Sequence, residues 1–329
     1  MTSKHRLHPS PSARDLRPLG LPGAIALALL AAVATSTFAT ADTPPPPPSE
    51  RAPEIRLAGT VVTLPIVMVR EFPFVEASVA GVSGKLMLDT GFEQALSIND
   101  NRVPVSDGRP IGTGFFGSGQ TFTIRLVPEL HDINIGGLYY PRATVVQAQD
   151  ARLLEGITPD FIGWIGYHAF ASHALKLDYR NLRATFYEHG AAEYLEGERV
   201  VAELPFETRS LPNIPIMAGG VGDMSIITSW DTGMNGALYT SEAGKARMLE
   251  EGLLTPSQAE PDTFDLHGLQ LNGHAMPVVR GLDIYTEPSP AAGPIGITEP
   301  HHLALGFGLL HHYKTVWDYQ QRRIYLLER

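Results

Sequence analysis

The 329-residue chain contains no cysteine. That excludes a disulfide framework, a thiol nucleophile and a thiolate metal site, so packing alone must hold whatever fold the chain takes. Basic charge is also scarce, with 25 Lys and Arg against 35 Asp and Glu and a formal net charge of −10. Nucleic acid is therefore not expected as a partner, because phosphate binding needs a basic face. The N-terminal apolar run, Ala24 to Val33, is shorter than the roughly 20 residues a membrane-spanning helix requires.

Several catalytic signatures are missing as well. There are 12 histidines, including the pairs His301-His302 and His311-His312, but no H-E-x-x-H. Adjacent residues on a strand point to opposite faces, so such pairs do not make a ligand set, and neither a metal nor a cofactor is expected. G-x-S-x-G is absent, since Ser118 sits in Phe116-Gly117-Ser118-Gly119-Gln120. Gly84-Lys85 lacks the upstream glycine and the following Ser or Thr of a phosphate loop. Gly112-Thr113-Gly114-Phe115-Phe116-Gly117 does match the G-x-G-x-x-G of dinucleotide sites, but that motif must open a helix. Here Gln120 to Arg125 alternates as a strand, so the glycines read instead as the tip of a mobile hairpin.

What is present begins with a leader. Lys4, Arg6, Arg14 and Arg17 precede the apolar run, and Ala39-Thr40-Ala41 supplies an A-x-A site. Residues 1–41 read as a secretory signal peptide, which predicts a periplasmic or secreted protein with no stable membrane association after cleavage. Removing them takes away four basic residues and one acidic one, so the mature chain is more acidic still. Residues 42–57, with Pro44 to Pro48, read as a stiff spacer outside the fold.

From Thr60 onward, short β-branched runs alternate with turn signals, which predicts an all-β fold with only short helices. Val61 to Val69 and Phe74 to Ala80 lead through Gly81-Val82-Ser83-Gly84, read as a turn, into the apolar strand Leu86-Met87-Leu88 and then Asp89-Thr90-Gly91. Farther on, Ile214 to Ala218, a turn at Gly219 to Asp223, and Met224 to Trp230 lead into Asp231-Thr232-Gly233. A helix is predicted from Glu242 to about Glu251, capped by Ser241 or Thr240 and stopped at Gly252. A shorter counterpart is expected around Asp150 to Leu154.

The surroundings of the two Asp-Thr-Gly turns repeat. Asp89 precedes Gly166 of Trp164-Ile165-Gly166 by 77 positions, and Asp231 precedes Gly306 of Ala304-Leu305-Gly306 by 75. Asp178-Tyr179 and Asp318-Tyr319 each lie 12 positions past the glycine, and Arg183 and Arg323 follow at equal offsets. The pattern is that of a duplicated unit, with one half over 58–190 and the other over 200–329.

In these paired motifs the chain resembles the aspartic peptidases, both the two-lobed pepsin-like enzymes and the dimeric retroviral type. The resemblance covers roughly residues 58 to 329. It implies a bilobal β fold, a monomer that is an internal pseudo-dimer, in which each lobe gives one catalytic aspartate, here Asp89 and Asp231, to a cleft that binds a polypeptide. It also implies that the hairpin carrying Gly112, Gly114, Phe115, Phe116 and Gly117 is a flap over the substrate.

The chemistry of paired acids follows without the family. Two carboxyls in close contact cannot both ionise cheaply, so they hold one proton between them, and one acts as base toward water while the other acts as acid. Thr90 and Thr232 suit a cross-brace between the turns, and Gly91 and Gly233 let the turns approach. The departure from the family lies just after those glycines, where Ser, Thr or Ala is usual and this chain has Phe92 and Met234. Neither side chain donates a hydrogen bond, so the dyad should keep its proton to higher pH than in a pepsin-like enzyme. Two readings follow: an active endopeptidase, or a catalytically silent peptide-binding module on the same fold.

Overall fold

The computed structural model describes residues 55–105, 108–116, 120–127, 130–140, 146–258 and 261–329. The expected leader, most of the expected spacer and Gly117 of the expected flap lie outside the described residues. Among the described residues the protein is mostly β, with 47% in strands against 12% in helices, as the alternating runs predict. None of the helices among the described residues is long and apolar enough to cross a membrane.

Strands form where side chains divide cleanly between water and core. Thr121–Val127 begins with strict alternation of exposed and buried positions, and Val61–Pro65 alternates throughout. Phe161–Ile165 is buried at every position, because it lies in the middle of a sheet covered on both faces.

The strand that delivers Asp89, Val82–Leu88, lies between antiparallel Phe72–Val79 and parallel Phe161–Ile165. Next come Leu96–Asn99, antiparallel to Phe161–Ile165, and Val146–Gln149, parallel to Leu96–Asn99. Thr121–Val127 and Arg109–Phe115 complete that side. The strand that delivers Asp231, Met224–Trp230, sits in the same order of partners: antiparallel Ile216–Val221 on one side and parallel His302–Leu305 on the other. Beyond it follow Gly236–Tyr239, Val279–Tyr285, Phe264–Leu266 and Leu254–Pro256. The two sheets contain eight and nine strands.

A third, six-stranded sheet joins them, with Val61–Pro65, Arg183–Tyr187 and Ala174–Asp178 from the first half and Lys314–Asp318, Arg323–Leu327 and Val200–Pro205 from the second. The join is the antiparallel pair Ala174–Asp178 and Lys314–Asp318, with Leu175 opposite Trp317. Glu198, in the segment linking the halves, forms ion pairs with Lys176 at 3.1 Å and with Lys314, one lysine from each strand of that pair.

Trp164, Trp230 and Trp317 are the largest fully buried side chains, one in each of the three sheets. Burying each contributes on the order of 2–3 kcal/mol, and with no disulfide present such packing carries the fold. Two turns differ from the sequence reading. The first hairpin turns at Ala80–Gly81 and the second at Gly222–Asp223, so Gly84 and Gly219 lie within strands instead. Helix Glu242–Glu250 is capped by Ser241, whose hydroxyl accepts the Gly244 N–H at 3.0 Å. Its expected counterpart is a turn of 3₁₀ helix at Arg152–Gly156.

Candidate functional site

Both aspartates leave the ends of buried strands in the same way. The Asp89 N–H donates to Ile165 O and the Asp231 N–H to Leu305 O, each at 3.0 Å, on the parallel neighbour strand. Behind the turns, the Tyr167 N–H donates to Phe92 O at 2.7 Å and the Phe307 N–H to Met234 O at 2.9 Å. That approach is why glycine stands at 166 and 306: a Cβ there would lie under 3.0 Å from the carbonyl of Phe92 or Met234.

The two turns lock together through their threonines. The Thr90 N–H donates to Thr232 Oγ1, and the Thr232 N–H donates to Thr90 Oγ1, each at 3.0 Å. Thr232 Oγ1 also donates to Leu88 O at 2.8 Å. Gly91 and Gly233 face the opposite aspartate, and a Cβ at either would come under 3.0 Å from the Asp231 or Asp89 carboxyl respectively.

This contact brings the carboxyls together. The single Gly91 N–H reaches both Asp89 Oδ1 at 2.9 Å and Asp231 Oδ1 at 3.1 Å. Phe92 N–H adds a bond to Asp89 Oδ1 at 3.1 Å, and Gly233 N–H one to Asp231 Oδ1 at 2.7 Å. Carboxyls this close cannot both ionise cheaply, and the charge of Asp231 disfavours that of Asp89. Both are buried, and Oδ2 of each receives no donor from the rest of the protein.

Burial is the largest influence on both acids and raises both above the usual carboxylate range. The charge of Asp231 raises Asp89 further, while the turn N–H groups oppose the rise at each. The sequence reading assigned such a rise to missing hydroxyls at 92 and 234; here dehydration dominates, and the Phe92 backbone supplies a donor that its side chain lacks. The Phe92 ring stacks on Trp164 at 5.0 Å and 15°, and Met234 is buried with Ala237, Tyr239 and Ala304.

The hairpin Arg109–Phe115/Thr121–Val127 forms, but Gly112 and Gly114 lie within its first strand and not at its tip. Gly114 is needed for packing, because a Cβ there would meet the Phe122 ring. The tip is closed by Phe116 N–H donating to Gln120 O at 2.8 Å, and Phe116 packs on Phe122 at 4.6 Å and on Trp164 at 6.5 Å. Phe115 ends the strand, and Gly117 is not among the described residues.

Two site residues carried no sequence signal of their own. Asn213 is buried and donates through Nδ2 to Gly91 O at 2.6 Å, supporting the first turn from the second half. Tyr319, which marks the repeat only as part of Asp-Tyr, donates its hydroxyl to Asn213 O at 3.0 Å and packs edge-on against Tyr167. Among the described residues, no group of three or more His, Asp or Glu is placed to hold a metal ion. No protein-family model matches the chain, and the search of curated proteins returns no match.

Proposed function

We propose that the protein is an exported aspartic endopeptidase of two-lobed, pepsin-like architecture, hydrolysing peptide bonds between Asp89 and Asp231. The observation that carries the reading is the sharing of one N–H, that of Gly91, by both carboxyls inside a threonine-braced pair of turns. The matched order of strand partners around the two aspartates supports a duplicated unit with lobes over 58–190 and 200–329.

In the proposed mechanism the pair holds one proton. The ionised carboxyl takes a proton from a water poised between the two Oδ2 atoms, and the protonated one donates to the carbonyl oxygen of the scissile bond. Neither Oδ2 is engaged by the rest of the protein, which leaves both available for that exchange. The substrate is a polypeptide, with no cofactor, and the protein acts as a monomer in the periplasm or outside the cell. A second reading, a peptide-binding module without turnover, is favoured by the bulk of Phe92 and Met234 directly after the turns.

A peptide library incubated with residues 42–329 tests the proposal. Cleavage that is lost in both Asp89→Asn and Asp231→Asn supports it, because one carboxyl cannot be base and acid at once. Cleavage at the parent rate in either variant places the chemistry elsewhere, and binding without cleavage by the parent selects the second reading.

A further inference from the structure

Asn213 reaches the first turn from the loop that leads into strand Ile216–Val221 of the second half. Its buried Nδ2 donates to Gly91 O at 2.6 Å and lies 3.5 Å from Thr90 O, at the edge of hydrogen-bond range. Those carbonyls belong to the peptide units Gly91–Phe92 and Thr90–Gly91, and in a planar trans unit the N–H points away from the carbonyl. The N–H groups of the same two units, those of Phe92 and Gly91, both donate to Asp89 Oδ1, and Gly91 N–H also reaches Asp231 Oδ1. A donor on the carbonyl side fixes such a unit and polarises it, which strengthens the bond its N–H makes.

The carboxamide is itself held in place. Tyr319, which follows strand Lys314–Asp318 of the sheet joining the halves, donates its hydroxyl to Asn213 O at 3.0 Å. Packing alone does not account for an amide here, because Asn213 Oδ1 is buried without a partner, a cost that leucine would not carry. The arrangement is also one-sided. Ile216 opposite Ser229 and Phe74 opposite Met87 stand at the same offsets from the two aspartates, and by that register the position matching Asn213 is Glu71. A carboxylate has no donor to give. The duplicated halves therefore back their two turns differently.

We propose that Asn213 is a positioning residue for the paired aspartates, its carboxamide holding the two peptide units whose N–H groups face their carboxyls. The inference rests on the aspartate pair of the proposed site but does not require turnover. The Gly91 and Phe92 N–H groups favour the ionised form of Asp89, and Gly91 N–H that of Asp231, against burial, which disfavours both. Loosening these units therefore makes the pair hold its proton to higher pH. Tyr179 and Tyr319 also face the pair, and burial raises both above the usual phenol range, so they stay neutral through that titration. Glu93 and Arg322 act on Tyr167, which packs on Tyr319.

The test is a pH titration of the full chain with carbon-13 at the aspartate carboxyls, the resonances of the pair being assigned from Asp89→Asn and Asp231→Asn. Asn213→Leu removes the donor and nearly conserves the volume. The first ionisation of the pair should then move up by about 0.5 to 1 pH unit, about three- to tenfold in its ionisation constant, because charge-assisted donors are weakened and not removed. Thr315→Val, which strips the buried Trp317 Nε1–H of its acceptor in the sheet joining the halves, controls for lost stability alone and should leave that ionisation in place. In the parent, the Asn213 Nδ2 proton resonances should move with the same ionisation, a readout that needs no variant. If the parent cleaves peptide, the acid limb of kcat in Asn213→Leu should shift with the titration while KM holds. A parent that cleaves nothing overturns the endopeptidase reading, and the titration still decides this one. An unshifted first ionisation in folded Asn213→Leu, an equal shift in Thr315→Val, or Asn213 resonances that stay fixed through the parent's titration overturns the proposal.

Discussion

The threonine brace is symmetric at first sight, but its two members carry different loads. Thr232 Oγ1 accepts the Thr90 N–H and donates to Leu88 O, so Thr232→Val leaves two buried backbone groups unpaired. Thr90 Oγ1 accepts the Thr232 N–H, so Thr90→Val orphans one backbone group. At about 1–3 kcal/mol for each buried group left without a partner, Thr232→Val should cost roughly twice as much stability as Thr90→Val. Valine conserves shape, so the loss is hydrogen bonding and not a cavity. For a urea m-value of about 2–3 kcal/mol per M, the two midpoints should lie about 0.3–1.5 M apart, both below the parent. The double variant should lose less than the sum, because each Thr→Val exposes the N–H of its neighbour in one shared network. Equal midpoints for the single variants, or a double loss equal to the sum, would refute this account of the brace.

Three further outcomes follow from the same geometry. Both aspartates have folded pKa values raised by burial, so the stability they confer is fully present below the ordinary carboxylate range of about 4 and is lost as pH rises through the raised values. Unfolding free energy measured across that window should fall for the parent, and a double Asp89→Asn, Asp231→Asn variant should show a flatter slope. Gly91→Ala puts a methyl where the Asp231 carboxyl lies, so it should abolish turnover and lower the melting temperature, while Gly190→Ala, where a Cβ meets open space, should be close to neutral in both. Phe92→Ser with Met234→Ser should move the acid limb of the pH–rate profile downward by adding hydroxyl donors near the dyad, at a cost of about 2–5 kcal/mol for each emptied core position. An acid limb that stays in place, measured on folded double variant, would leave dehydration as the whole cause of the shift.

Much of this protein is legible along the chain because its information is local. Alternation of Thr121 to Val127 fixes a half-buried strand, Ser241 before Glu242 fixes a helix start, and the absence of cysteine fixes reliance on packing. The paired Asp-Thr-Gly turns, 89 and 87 positions ahead of their Asp-Tyr pairs, were readable for the same reason: spacing is a property of the sequence itself. The tertiary structure decided what depends on groups far apart in the chain. Only there does Gly91 N–H meet both carboxyls, does Asn213 reach Gly91 O from 122 residues away, and does the Phe92 ring find Trp164. Gly114 reads in sequence as part of a mobile hairpin tip, yet the Phe122 ring across the hairpin shows that its lack of a side chain serves packing. His302 reads in sequence only as one of a pair that makes no ligand set; its burial and its bond to Ser229 come from pairing with the parallel strand that carries Ser229, a register that spacing alone does not specify.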